Sequence, residues 1–150
     1  MHADQLANYA MELVNFLKST GHPEVTCERS PNAGQFIDVY EAPLPRGAGV
    51  YLFQFDNGEV FYIGKTEAER GDFARIWKHL GTAARILDSG QRGFPESEFG
   101  AAFETTSKEY EAIMAGHFRI DYLVITPATL TSLFEVYLQT ICVLSKGRIA

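Results

Sequence analysis

Residues 49–66 read Gly-Val-Tyr-Leu-Phe-Gln-Phe-Asp-Asn-Gly-Glu-Val-Phe-Tyr-Ile-Gly-Lys-Thr, two aromatic-rich runs on either side of Asn57-Gly58. Asn-Gly between alternating apolar runs is the strongest short-range hairpin signal, because both residues accept the positive φ of a type I′ turn. A two-residue loop there sets the register. Phe55 falls opposite Val60, Phe53 opposite Tyr62 and Tyr51 opposite Gly64. Side chains alternate along a strand, so Tyr51 and Tyr62 share a face as diagonal neighbours, roughly 7–8 Å apart by backbone. A three-residue loop would shift the pairing by one and separate the phenols, so any joint use of the two tyrosines depends on the turn.

The rest of the chain supplies what such a hairpin needs to be covered. Leu6, Tyr9, Ala10, Leu13, Val14, Phe16 and Leu17 recur at helical spacing, and Gly21 then Pro23 predict the stop. Residues 22–34, with Pro23, Ser30, Pro31, Asn32 and Gly34, read as loop, and Phe36 to Tyr40 as an edge strand. After the hairpin, Asp72 caps a predicted helix whose stripe is Phe73, Ile76, Trp77, Leu80, Ala83, Ala84 and Leu87. A short helix is expected from Ser107, with Thr106 and Glu109 as its capping box. Phe118 to Ile125 reads as a third strand. Thr126 as cap and Pro127 at the first helical position then open a last helix that buries Leu130, Leu133, Phe134, Tyr137, Leu138, Ile141 and Leu144. The expected fold is therefore α+β: a three-stranded antiparallel sheet in the order β-β-α-β-α, flanked by helices. Residues 1–46 form an N-terminal helical extension packed on a core domain of residues 47–150.

The chain has 150 residues, 46% of them hydrophobic, enough for one domain with a real core. No apolar run approaches the roughly 20 residues of a membrane span, and Met1-His2-Ala3-Asp4 lacks the basic and apolar regions of a signal peptide. A cytoplasmic protein with no membrane partner is expected. Cys27 and Cys142 have no metal-ligand or redox spacing and read as reduced. The net charge is −6, against the basic balance usual for nucleic-acid binding. Between Phe61 and Arg92, however, Lys65, Arg70, Arg75, Lys78, Arg85 and Arg92 outnumber Glu67, Glu69, Asp72 and Asp88, six against four. That modest basic patch can hold a phosphate backbone, weakly and with salt sensitivity.

Three charged positions stand where chemistry can use them. Arg75 and His79 are four residues apart on one helix face; alone, they read more readily as a solvated polar face. Glu135 is the only charged residue from Thr126 to Ser145, on the border of an apolar stripe, where a dipole-favoured exposed glutamate is the plain alternative. Gly64-Lys65-Thr66 is not a P-loop, because that motif needs a glycine where Glu59 stands. Tyr51 and Tyr62, taken singly, are ordinary strand aromatics.

In order, though, Gly49-Val50-Tyr51, Tyr62-Ile63-Gly64-Lys65, Arg75 with His79, and Glu135 on a helix after a third strand resemble the GIY-YIG nuclease superfamily over about residues 47–150. The resemblance implies metal-dependent hydrolysis of a phosphodiester by a DNA endonuclease, with Tyr51, Tyr62, Arg75, His79 and Glu135 as catalytic residues. Glu135 would bind one Mg²⁺ or Mn²⁺, an ion that keeps several waters and takes few protein ligands. Arg75 would hold a phosphate oxygen, and Gly64, Lys65 and Lys78 would contact substrate phosphate, Gly64 by leaving room over the backbone. Tyr51 would activate or orient the attacking water. A free phenol has a pKa near 10, so only about one in a thousand is ionised at pH 7, and Lys65, His79 or a bound water must assist. Family members often carry an asparagine shortly after the glutamate helix, whereas the asparagines here are Asn8, Asn15, Asn32 and Asn57. Two alternatives follow: a binding or interaction module of the same fold without turnover, and a nuclease acting on RNA of tRNA type, such as a toxin. DNA is the expected partner ahead of RNA.

Overall fold

The computed structural model describes residues 1–31, 34–39, 47–66 and 107–146. Its centre is an antiparallel sheet of five strands: β1 (Thr26–Arg29), β2 (Gly34–Gln35), β3 (Gly49–Gln54), β4 (Val60–Thr66) and β5 (Arg119–Thr126). The order is β1-β5-β3-β4, with β2 also pairing β5. The helices are α1 (Ala3–Ser19), α2 (Phe36–Val39), α3 (Lys108–Ala115) and α4 (Thr131–Lys146), the last entered through a 3₁₀ turn, Ala128–Leu130.

The sheet is thus wider than the three strands expected, and both additions come from the N-terminal 46 residues. β1 lies in the segment read as loop, because Thr-Cys-Glu-Arg is exposed at three positions and half-buried at one and so carries no alternating pattern. What makes it a strand is its pairing partner. Cys27 lies opposite Ile125 and Arg29 opposite Leu123. Conversely, residues 36–39 of the expected edge strand are a helical turn, and the strand is only Gly34–Gln35 before it. The N-terminal segment is therefore woven into the sheet as well as packed on it.

One sheet face is covered by helices. Val50 and Leu52 of β3, Val60 and Ile63 of β4, and Leu123 and Ile125 of β5 form one core with Leu6, Ala10, Leu13 and Val14 of α1 and Phe134, Leu138 and Cys142 of α4. The helical spacing read from the sequence finds this core well. Its errors are at the margins, where Phe16 is 62% exposed and Leu133 is 42% exposed. Two helix starts also differ from expectation. Ser107, rather than the Thr106 box, caps α3 by accepting the Tyr110 N–H at 3.1 Å. Thr126 remains in β5, and Pro127 precedes the 3₁₀ turn instead of opening the helix. α4 starts at Thr131, whose hydroxyl donates to the Ala128 carbonyl at 2.7 Å.

A polar network that runs from the buried Asp121 out to the exposed Asp4 ties the N-terminal segment to the sheet. Asp121, 3% exposed on the helix-covered face, accepts from Arg29 Nε at 3.0 Å and Nη2 at 3.1 Å, and from Gln54 Nε2 at 2.6 Å. Arg29 Nη1 also reaches Asp4 of α1 at 2.6 Å. The two carboxylates hold the Arg29 guanidinium charged, Asp121 most strongly, and Arg29 in turn lowers the Asp4 pKa. A forked guanidinium on a carboxylate fixes orientation as well as distance, so β1, β5 and the start of α1 are locked together. Among the described residues no helix is long and apolar enough to cross a membrane.

Candidate functional site

The hairpin reaches its register by a different route from the one its turn residues suggest. Phe55 N–H donates to the Glu59 carbonyl and Gly58 N–H to the Phe55 carbonyl, both at 2.9 Å. The loop is thus three residues, Asp56-Asn57-Gly58. Gly58 alone takes positive φ, +88°, while Asn57 does not, so the turn is not type I′. The Asn57 side chain instead accepts the Glu59 N–H at 2.9 Å, the local hydrogen bond that short amides favour in turns. A three-residue loop ending in a left-handed glycine is the next commonest hairpin connection. By itself it would put Tyr51 and Tyr62 on opposite faces. One further residue restores the pairing: Gln54 lies opposite Val60 but Phe53 lies opposite Tyr62, leaving Phe61 as the extra residue of a β-bulge. The expected Phe55–Val60 pair is therefore absent, while Phe53–Tyr62 and Tyr51–Gly64 stand as expected.

Tyr51 and Tyr62 consequently share the face opposite α1 and α4. Their rings stack with centroids 5.9 Å apart and planes 21° from parallel. Phe53 packs between them and the sheet's other aromatics, 5.2 Å from Tyr51, 5.4 Å from Tyr62 and 5.0 Å from Phe118. Phe118 in turn stacks on Phe36. This aromatic row fixes both phenols from behind. Tyr51 is 5% exposed, and Tyr62 is half-buried. The Tyr51 ring leans across β4, so that a Cβ built on Gly64 would fall against its Cζ and hydroxyl. The space that Gly64 leaves is thus filled by the Tyr51 phenol rather than left open over the backbone.

α4 approaches β4 from the other face. Its row Thr131, Phe134, Leu138 and Cys142 is buried. Along the flank toward β4, Gln139 Nε2 donates to the Ile63 carbonyl at 3.0 Å, and Lys65 Nζ donates to Ser132 Oγ. Glu135 is half-buried and stands three residues after Ser132 and four before Gln139, so it belongs to the same flank. The two hydrogen bonds land on β4 residues either side of Gly64. The Tyr51 hydroxyl and the Glu135 flank therefore meet β4 at the same height, from opposite faces of the strand that ends the described sheet. Lys65 is held on the Glu135 side.

Arg75, Lys78 and His79 lie outside the described residues, as does the predicted helix that would carry them. Among the described residues no group of three or more His, Cys, Asp or Glu side chains could hold a metal ion. Ser132 and Gln139 were not singled out by the sequence reading, although their spacing of −3 and +4 from the lone Glu135 is a legible signal. Asp121 was also missed, since a single acid in an otherwise apolar strand gives no hint of its distant partner Arg29. Burial keeps two further groups from ionising: the Tyr122 phenol lies above its ordinary range, and the Cys27 thiol is raised to about 11. No family model, no curated protein and no solved structure matches this chain.

Proposed function

We propose that this chain is a metal-dependent nuclease of GIY-YIG type that hydrolyses phosphodiester bonds, with DNA as its substrate. The observation that carries the reading is the seating of Tyr51 over Gly64 at the height where the Glu135 flank of α4 meets β4. It supports a site at the β4 edge, where the Tyr51 phenol lies on one face and the α4 flank that carries Glu135 on the other. The donor set fits a hard divalent ion held by few protein ligands. Among the described residues of α4, Glu135 supplies the one carboxylate, which suits Mg²⁺ or Mn²⁺ better than an ion needing a cage of side chains. When bound, such an ion neutralises charge on a phosphoryl oxygen.

The chain's own residues then have separate tasks. Glu135 would hold the ion. Tyr51 orients the attacking water through its hydroxyl, and Tyr62, stacked beside it, positions the phosphate. Lys65 offers its ammonium from the α4 side, and Arg75, Lys78 and His79, which lie outside the described residues, would help to hold the phosphate. Because Gly64 is filled by the Tyr51 ring, its task is to seat the phenol rather than to admit the phosphate. The net charge of −6 favours one second reading, a binding module of this fold without turnover. A panel of plasmid, linear, branched and single-stranded DNA and of RNA, incubated with Mg²⁺ or Mn²⁺ and with excess chelator, tests both. Chelator-sensitive cleavage of DNA ahead of RNA is expected. Retention of these substrates without scission establishes the second reading, and faster RNA cleavage reassigns the substrate.

A further inference from the structure

Resting on the nuclease reading, we propose that Ser132 and Gln139 are positioning residues that set the rotation of α4 and thereby aim Glu135. The buried row Thr131, Phe134, Leu138 and Cys142 fixes how close α4 lies to the sheet, but apolar contact is non-directional. Such packing resists roll, but less sharply than a hydrogen bond of fixed direction does. Gln139 Nε2 to the Ile63 carbonyl at 3.0 Å and Lys65 Nζ to Ser132 Oγ are among the directional contacts that oppose that roll. They attach to β4 on either side of Gly64, and to α4 one turn on either side of Glu135. A carboxylate bracketed in this way keeps its direction when the helix is pushed, and a 1 Å misplacement of a reacting group can cost about a hundredfold in rate. The same Ser132 contact keeps the Lys65 ammonium on the side of β4 where Glu135 stands.

The test compares Gln139→Met, which keeps length and loses the donor, with Ser132→Ala and the hydroxyl-keeping Ser132→Thr. Mn²⁺ affinity is read by electron paramagnetic resonance on protein bound to a non-cleavable phosphorothioate duplex, alongside kcat, KM for DNA and thermal stability. The proposal predicts that Gln139→Met and Ser132→Ala lower kcat about ten- to a hundredfold and weaken Mn²⁺ several-fold, with KM for DNA near wild type in Gln139→Met and raised in Ser132→Ala, which also releases Lys65, and with Ser132→Thr restoring most of the Ser132→Ala loss. Variants that lose thermal stability but keep wild-type Mn²⁺ affinity and kcat overturn it and leave the two residues merely structural. If Gln139→Met does not fold, the Ser132 pair decides by the same readouts. Failure of the underlying reading is seen separately, as a wild-type protein that cleaves nothing or a Glu135→Ala variant that cleaves like wild type; either result removes the proposal as well.

Discussion

Gly64 is the residue whose identity the site tolerates least. Its missing side chain is where the Tyr51 phenol lies, so Gly64→Ala must push the ring off β4 or bend the strand, at a cost of about 1–3 kcal/mol for overpacking. Denaturant unfolding of Gly64→Ala, Tyr51→Ala and the double variant checks this. The double variant should recover most of the Gly64→Ala cost, since the interaction is pairwise; additive losses would mean that the ring is not what excludes the methyl. Cys27 offers a second residue-scale measurement. Burial is the main cause, and Glu28 a lesser one, of a thiol pKa near 11 against 9.0 for the free group, so the folded protein carries about a hundredfold less thiolate at neutral pH. Alkylation of Cys27 at pH 7.5 should be slowed by about that factor and recover on unfolding. The folded state holds this proton more tightly than the unfolded chain, so the linked stability is intact below pH 9 and lost as pH rises from 9 toward 11. Cys27→Ala should remove that part of the pH dependence.

At the scale of elements, legibility follows how locally each element is determined. α1 and α4 are readable because one apolar face repeats every 3.6 residues and must be buried against something. β3, β4 and β5 are readable because aromatic and β-branched residues run between turn signals. The hairpin shows the limit: Asn57-Gly58 marks the turn correctly, but turn type and loop length depend on the Asn57 side chain and on a bulge at Phe61, and the two departures cancel in the register of Tyr51 and Tyr62. β1 is not readable, because Thr26–Arg29 becomes a strand only through β5 and through Arg29, whose partner Asp121 lies 92 residues away. That ion pair gives the element-scale prediction. Arg29→Ala leaves a buried carboxylate with Gln54 as its remaining donor here, and should cost about 3 kcal/mol, the low end for a broken buried pair because Arg29 keeps some contact with solvent. Unfolding in denaturant measures the loss, and amide exchange should place it in β1 and the start of α1.

For the whole molecule, the Tyr51 phenol and the α4 flank that carries Glu135 meet one edge strand, β4, from opposite faces. Arg75, Lys78 and His79 lie outside the described residues, but for Tyr51, Tyr62 and Glu135 the carrying element, hairpin or last helix, was legible in the sequence. How Glu135 is aimed was not, because that depends on side-chain hydrogen bonds between α4 and β4 that no periodicity encodes. A net charge of −6 repels a polyanion at long range, so on the proposed reading the substrate has to be held by local cationic groups rather than by general affinity. The most direct measurement is therefore plasmid cleavage by wild-type protein and Glu135→Ala across a Mg²⁺ titration, both checked for equal folding. The account predicts Mg²⁺-dependent nicking by the wild type and a loss of at least a hundredfold in the variant, while DNA retention is kept. Cleavage that survives Glu135→Ala, or that proceeds in excess chelator, contradicts it.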